Sequence, residues 1–487
     1  MKNELKYDSS NPESIELYAL KLVGKTFSDV FFETSNYNKE AIIAYGNLFR
    51  KGGLGNLLEE MYFGYKANSD QDVDFKEAGV ELKVSPFEYT KKGELRAGER
   101  LVLTMISYDR PVEEDFYKSH AWKKMSNILL IYYWRNRELK DNLSYKIEYT
   151  KLFSPPNSDL AIIKQDYNFI IDKIKKGLAH QLSEGDTMYL GACTKGATAA
   201  KSTVHQYYNA EVLAKKRAFC FKNSYMTFVL NNYIANKSNG EESIIKDFNI
   251  LNEKSFADIL REKLNMHLGK TDYELAEQYG INLKNKGNRA LLTYAMLGVE
   301  GNKADEFVKA NIKIKTVKFN KNGINPEHTR IIDFRFKTLA AEMWEESELL
   351  DYLETTQILF VVYQETDRGV VLCGSKLWHM GQEDIKIVCE GWMAVKEKLL
   401  SGVNLWVSIK SGEREVIKND LPGTKDNPVF HVRPHEAQTY YRFLDGSEHG
   451  KGTIRNCDEL PDGQWMPKHS YWLNKKYIYN ILIDELK

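Results

Sequence analysis

A chain of 487 residues is too long for one ordinary hydrophobic core, and its apolar share of 43% and aromatic share of 12% are those of a globular protein, so two or three domains are expected. The 68 basic and 68 acidic side chains cancel, which excludes a globally basic polyanion binder but leaves room for a basic cleft balanced by acidic surface elsewhere. Cys193, Cys220, Cys373, Cys389 and Cys457 are odd in number and make no CxxC spacing, so reduced thiols are expected rather than a disulfide framework or a zinc site.

The start, "MKNELKYDSSNPESIEL", has no apolar signal core, and no run of about 18 apolar residues follows, so a cytoplasmic protein with no membrane association is expected. Residues 13–24 carry apolar side chains at helical spacing, and "GNLLEEMYFG" (55–64) predicts a second helix entered through the glycines of "KGGLG". "GVELKV" and "ERLVLTMISY" read as strands, and "SHAWKKMSNILLIYYWRN" as a helix running into a buried strand. A helix and a short strand-like segment follow in "DYNFIIDKIKKGLAHQLSEGDTMYLGACTKG", and "SYMTFVLNNYI" closes the unit near residue 234. This order predicts an α/β fold with a mixed sheet. Residues 235–305 are polar and mostly helical in pattern, a linker module, and residues 306–487 begin a second α/β segment.

The second segment echoes the first. Laid without gaps on "DFKEAGVELKV" (74–84), "EFVKANIKIKT" (306–316) matches Asp74 with Glu306, Phe75 with Phe307, Leu82 with Ile314 and Lys83 with Lys315, while Glu81 meets Lys313. Downstream, "NILLIYYW" pairs with "QILFVVYQ", "GACTKG" with "FHVRPH", and "KRAFCFKNSYMTFVL" with "PKHSYWLNKKYIYNIL". Four pairings in one order predict a tandem domain duplication.

On a strand Glu81 and Lys83 project to one side, and Val80, Leu82 and Val84 to the other. Asp74 precedes the turn at Gly79 and can approach the start of the strand, and a glutamate from "NLLEEMYFG" can add an oxygen. Carboxylates converging with a lysine suit a hard cation such as Mg²⁺, with the Leu82 carbonyl as a further ligand, and phosphodiester hydrolysis is the matching chemistry. A solvated strand face carries the same Glu–Lys pair, and residue pattern alone leaves both readings open.

"KGGLGNLLEEMYFG", "DFKEAGVELKVSPF" and "ERLVL" resemble the MutH and Sau-3AI endonucleases of the PD-(D/E)xK nuclease superfamily, over roughly residues 45–235 and, through the duplication, more weakly beyond. The resemblance implies two tandem MutH-like restriction-endonuclease-fold domains, 1–234 and 306–487, and a Mg²⁺-dependent endonuclease cutting double-stranded DNA at GATC. It implies that Asp74 and Glu81 hold the metal and that Lys83 is the catalytic lysine, with Lys124 of "SHAWKK" as a second lysine and Lys51 near the scissile phosphate. For the helical glutamate, spacing from Gly55 selects Glu59 and spacing to Asp74 selects Glu60. The latter is favoured, and the helix then holds one residue more than the family pattern.

The same resemblance assigns DNA reading to "GACTKGATAAK", through Thr194 and Lys195, and to "AKKRAFCFKNS" and the residues after it, through Arg217, Lys222 and Tyr225. In the second copy Lys313 puts a cation where Glu81 would ligate, so this copy is expected to bind DNA without cutting it, through Arg433, His435 and Lys468. The reading is a type II restriction endonuclease of host defence with an effector DNA site, a monomer in solution that loops DNA or dimerises on it. The alternatives are a strand-nicking mismatch-repair endonuclease and a non-cleaving DNA-binding protein.

Overall fold

The computed structural model describes residues 6–34, 53–66, 72–195, 202–237, 240–284, 287–300, 303–324, 327–410 and 414–486. The chain separates into two compact units, Met1–Phe256 with Lys303–Ile312, and Ala257–Asn302 with Lys313–Lys487. The stretch 235–305, read as one linker module, is therefore divided between them. Its helical character is present in Phe256–Asn265, Asp272–Tyr279 and Asn288–Met296. The middle part is pinned to the second unit because Gly269 N–H donates to the Leu372 carbonyl and Leu372 N–H to that of Lys270.

The first unit is built on β1 (Glu81–Tyr89), β2 (Leu95–Ala97), β3 (Leu101–Met105), β4 (Ile128–Trp134), β5 (Lys146–Phe153) and β6 (Leu190–Thr194). A ribbon of β7 (Thr203–Gln206) and β8 (Asn209–Lys215) and then β9 (Arg217–Phe221) complete it. One sheet has the order β2-β1-β4-β5, the other β3-β9-β6. β1 and β4 run parallel from Glu81 opposite Ile128 to Phe87 opposite Trp134. A parallel pair needs a crossover, and the stretch holding β2, β3 and the helix His120–Met125 supplies it. The continuous apolar run predicted as a buried strand is β4, whose residues Ile128–Tyr132 are fully buried. Leu82, Leu129 and Ile131 face a core completed by Ile15, Phe27 and Val30 from the N-terminal helices and by Leu22 from the turn between them.

The 19-residue helix Asn157–Lys175 lies against the second sheet and is locked there by a buried acid. Asp166 accepts the N–H groups of Met188, Tyr189 and Leu190 at 2.7, 2.7 and 2.9 Å, and burial, opposed by these bonds, pushes its pKa up to about 6. Asp166→Ala strands three buried donors. It is expected to lower unfolding free energy by about 3 kcal/mol or more, read from the urea midpoint.

The second unit repeats the plan. Its strands are β10 (Ile312–Phe319), β11 (Thr329–Asp333), β12 (Gln357–Thr366) and β13 (Gly369–Trp378), a ribbon of β14 (Leu405–Lys410) and β15 (Arg414–Asn419), and β16 (Phe430–Pro434). Short strands β17 (Tyr440–Arg442), β18 (Glu448–Gly450), β19 (Cys457–Glu459) and β20 (Trp465–Pro467) precede β21 (His469–Leu473). The sheets β10-β12-β13 and β11-β21-β16 correspond in order to β1-β4-β5 and β3-β9-β6. In each unit a short helix leads into the buried strand, a long helix follows the next one, and a helix follows the last strand. The two units differ in the ribbon, which follows β6 in the first and precedes β16 in the second. The fold class read from the sequence, mixed α/β with a duplicated plan, is the one observed.

All five cysteines are free, and among the described residues no helix is long and apolar enough to cross a membrane. Cys193 and Cys220 pack with Ala218 in a small buried cluster, as expected of small core residues.

Candidate active site

The strand pairing of β1 leaves one of its edges open where chemistry can be placed. β2 covers β1 only from Phe87 to Tyr89. Upstream, Phe75 and Val80 exchange N–H···O bonds of 2.9 and 3.2 Å across a tight turn, and Gly79 supplies its positive φ of 64°. The turn brings Asp74 back along β1. Glu81 N–H donates to the Asn127 carbonyl on the β4 side, so Leu82 N–H faces the open edge, where Asp74 Oδ2 accepts it at 2.8 Å. The Leu82 carbonyl leaves the strand from that same edge, because both main-chain polar groups of a strand residue project to one side.

Glu81 is almost fully buried and its two oxygens are divided between two lysines: Lys83 Nζ lies 2.7 Å from Oε1 and Lys124 Nζ 2.9 Å from Oε2. Lys124 comes from the helix His120–Met125, is itself buried, and also donates to the Asp72 carbonyl at 2.5 Å. It is thus no solvated helix lysine.

Of the two helical glutamates, the structure turns Glu59, rather than the favoured Glu60, toward the other carboxylates. After Gly53–Leu57 the chain widens into a π-turn, Leu58–Tyr62, in which Phe63 N–H reaches back five residues to the Leu58 carbonyl. A π-turn absorbs one additional residue within a helix, in keeping with the surplus that the resemblance implies. It also rotates the register, so that Glu59 lies beside Asp74, Lys83 and Glu81 while Glu60 is exposed. Burial first, then the charge of Asp74, pushes the Glu59 pKa up to about 7, against the pull of Lys83. Burial and then Glu81 push Asp74 up to about 6, against the Leu82 N–H bond and the two lysines.

Tyr65 adds a group whose only signal in the sequence is that of a core aromatic. Its N–H donates to the Glu59 carbonyl at 3.0 Å and its ring meets Phe75 edge-on at 5.2 Å. The hydroxyl is buried without a hydrogen-bond partner among the described residues, and burial and the neighbouring carboxylates raise its pKa. Among the described residues no three acidic, histidine or cysteine side chains are drawn together closely enough to hold a metal ion. In chemical type the donors of Glu59, Asp74 and Glu81 nevertheless suit a hard divalent cation. The set is all oxygen, burial and then a neighbouring carboxylate (Asp74 for Glu59, Glu81 for Asp74) hold two of its members above their ordinary range, and an orphaned hydroxyl stands beside them. Lys51 lies outside the described residues.

Residues 63–166, which carry Asp74, Glu81, Lys83 and Lys124, match the family model described as DNA mismatch repair enzyme MutH. The chain is also 36% identical over 471 residues to the type II restriction enzyme Sau3AI of Staphylococcus aureus, covering 90% of this chain and 93% of that protein. The chain belongs to the family of Sau3AI-like restriction endonucleases. Similarity along almost the whole length means that both units, and not the MutH-like segment alone, are shared with that relative.

The residues assigned to DNA reading divide into accessible and buried groups. Thr194 and Lys195 are half-buried at the end of β6, where Thr194 faces Arg217 across the ladder and Lys195 N–H bonds the Lys216 carbonyl. Arg217, Lys222 and Tyr225 lie in the core and not on the accessible face expected of DNA-reading groups. Arg217 is 2% exposed and donates to the Ala192 carbonyl at 2.7 Å. Lys222 is 1% exposed, bonds the Thr187 carbonyl, and is held below the ordinary lysine range by burial. Tyr225 stacks on Tyr189 and donates to Asp159, the acid that also pairs with Lys309 at 2.6 Å. Basic side chains next to an apolar strand thus read as a phosphate-tracking face when they are internal ties.

In the second unit Arg433, His435 and Lys468 gather at one end of the β16–β21 ladder, each only partly buried. Arg433 lies 3.8 Å over the Trp472 ring, His435 meets Ser470 Oγ at 2.7 Å, and Lys468 donates to the Arg455 carbonyl. His431, on the same strand, is a core histidine bonded to Asn474 at 2.7 Å.

Proposed function

We propose that this chain is a Mg²⁺-dependent type II restriction endonuclease that hydrolyses both strands of double-stranded DNA at GATC, and that its second unit binds a further DNA site without cutting it. The observation that carries the reading is the gathering of Glu59, Asp74 and Glu81 with Lys83 and Lys124 at the open edge of β1. GATC and the effector role come from the resemblance to MutH and Sau-3AI endonucleases and from the duplicated plan.

Asp74, Glu81, Glu59 and the Leu82 carbonyl are the groups to hold the cation, which supplies polarisation of the scissile phosphoryl group and acidification of water. Lys83, anchored by Glu81, places its charge where negative charge develops on the phosphate oxygens. Lys124 holds the other Glu81 oxygen and fixes the carboxylate's orientation through a buried, doubly bonded ammonium group. Thr194 and Lys195 contact DNA in the first unit, and Arg433, His435 and Lys468 in the second.

The second unit lacks the acid needed to repeat this chemistry, since Lys313 stands where Glu81 stands. One catalytic centre cuts one strand, so duplex cleavage requires two chains assembled on DNA, which a second DNA site promotes. Purified protein without partners is expected to make double-strand breaks, and to cut a two-site plasmid about 10-fold faster or more than a one-site plasmid. Equal rates on the two plasmids would remove the effector role. Products confined to single nicks would favour a strand-nicking repair enzyme.

A further inference from the structure

β10 holds the place in the second unit that β1 holds in the first, beside the buried strand that follows a short helix. Lys313 and Lys315 stand two apart near its start, and alternation directs them to one face, that of Val317 and Phe319, which are buried in the core further along. They therefore occupy the positions of Glu81 and Lys83. The difference lies in their partners. Glu81 and Lys83 neutralise one another at 2.7 Å, whereas among the described residues neither Lys313 nor Lys315 forms an ion pair. Lys313 reaches solvent and Lys315 is half-buried. Burial holds both ammonium groups below the ordinary lysine range, and Arg330 of β11 and Lys313 press Lys315 further down. Arg330 is itself bridged by Asp333, the acid in this group.

Two adjacent like charges kept partly out of water are unfavourable in the free protein and are relieved when an anion sits between them. We infer that Lys313 and Lys315, supported by Arg330, form a phosphate seat that takes a DNA phosphodiester at the place where the first unit presents its own to Glu81 and Lys83. The inference rests on the proposal that the second unit binds DNA, and deepens it: loss of the acid turned a cleaving centre into a holding one. Two ammonium groups two residues apart on a strand match the oxygens of one phosphate and carry no base selectivity, so the seat sets register and affinity and leaves sequence reading to other groups.

The test uses the full chain and a duplex with one recognition site, titrated by calorimetry to two duplexes per chain without divalent cation. In the Lys313→Ala, Lys315→Ala double variant the second equivalent is expected to bind about 10-fold or more weakly, with the slope of log affinity against log salt reduced by about 1 to 2. The Lys313→Arg, Lys315→Arg variant should restore it, separating charge from packing. An unchanged second equivalent in the alanine variant, with Arg433→Ala weakening it, would overturn the seat while sparing DNA binding by the second unit. A wild-type chain that takes only one duplex would overturn both. Inorganic phosphate that binds these lysines without competing with the second duplex would show an anion site unused by DNA, and would also overturn the inference.

Discussion

Exchange of Glu81 for glutamine is expected to lower DNA cleavage about 1000-fold or more, with duplex binding in the absence of divalent cation changed little. The side chain keeps its volume and one acceptor oxygen, so the loss reports on charge. Glu81 is one of the proposed ligands and the partner of both lysines, which makes it the residue on which most of the site converges. Glutamine is the better exchange because alanine would leave Lys124 buried without its carboxylate, at a cost of about 3–5 kcal/mol in stability. Cleavage should be followed under single-turnover conditions, with circular dichroism and thermal unfolding as checks on folding. Cutting at more than about a tenth of the wild-type rate would remove Glu81 from the metal site and the whole edge of β1 from catalysis.

A contrast between neighbours gives the second large effect. Glu59→Gln is expected to reduce cleavage about 100-fold, and Glu60→Gln to leave it within about 2-fold of wild type. Adjacent residues of a helical turn point to different sides, so only one of the pair can face Asp74. Glu59 is the one whose pKa responds to Asp74, Lys83 and Glu81, while Glu60 is exposed. The affinity for divalent cation, read by calorimetry, should fall with Glu59→Gln and hold with Glu60→Gln. The opposite ranking would mean that the π-turn unwinds when DNA and metal bind and hands the role to Glu60. Equal, small effects would place the helical glutamate outside the chemistry.

The reversal from Glu60 to Glu59 illustrates where sequence spacing loses information. Counting residues back from Asp74 assumes a uniform helical rise, and the i to i+5 bonding at Leu58–Phe63 breaks that assumption within one turn. The surplus residue was legible in the sequence, but its placement was not, because a π-turn has no local propensity signature. Arg217, Lys222 and Tyr225 lie away from an accessible face for a different reason. Their basic and aromatic character is compatible with a DNA-facing surface, and only the closing of β6 on β9 and of the helix Asn157–Lys175 beneath them turns them inward. Lys124 went the other way, from one of two adjacent lysines to a buried ligand of Glu81, because its helix leads directly into the strand paired with β1.

By itself the sequence determined the plan of this protein. Periodicity placed the strands and helices, the four ordered echoes announced a repeated domain, and the "DF…GVELK" run marked the edge of one strand with acids and a base. Such features follow from local pattern, since alternation and helical spacing fix which side chains share a face before any packing occurs. Only the tertiary structure decided which carboxylate of an adjacent pair meets the others, which basic groups are internal ties, and that Lys313 and Lys315 stand without an ion-pair partner among the described residues. Those outcomes depend on contacts between segments far apart in the chain, where burial and the charges of distant neighbours set what each group can do.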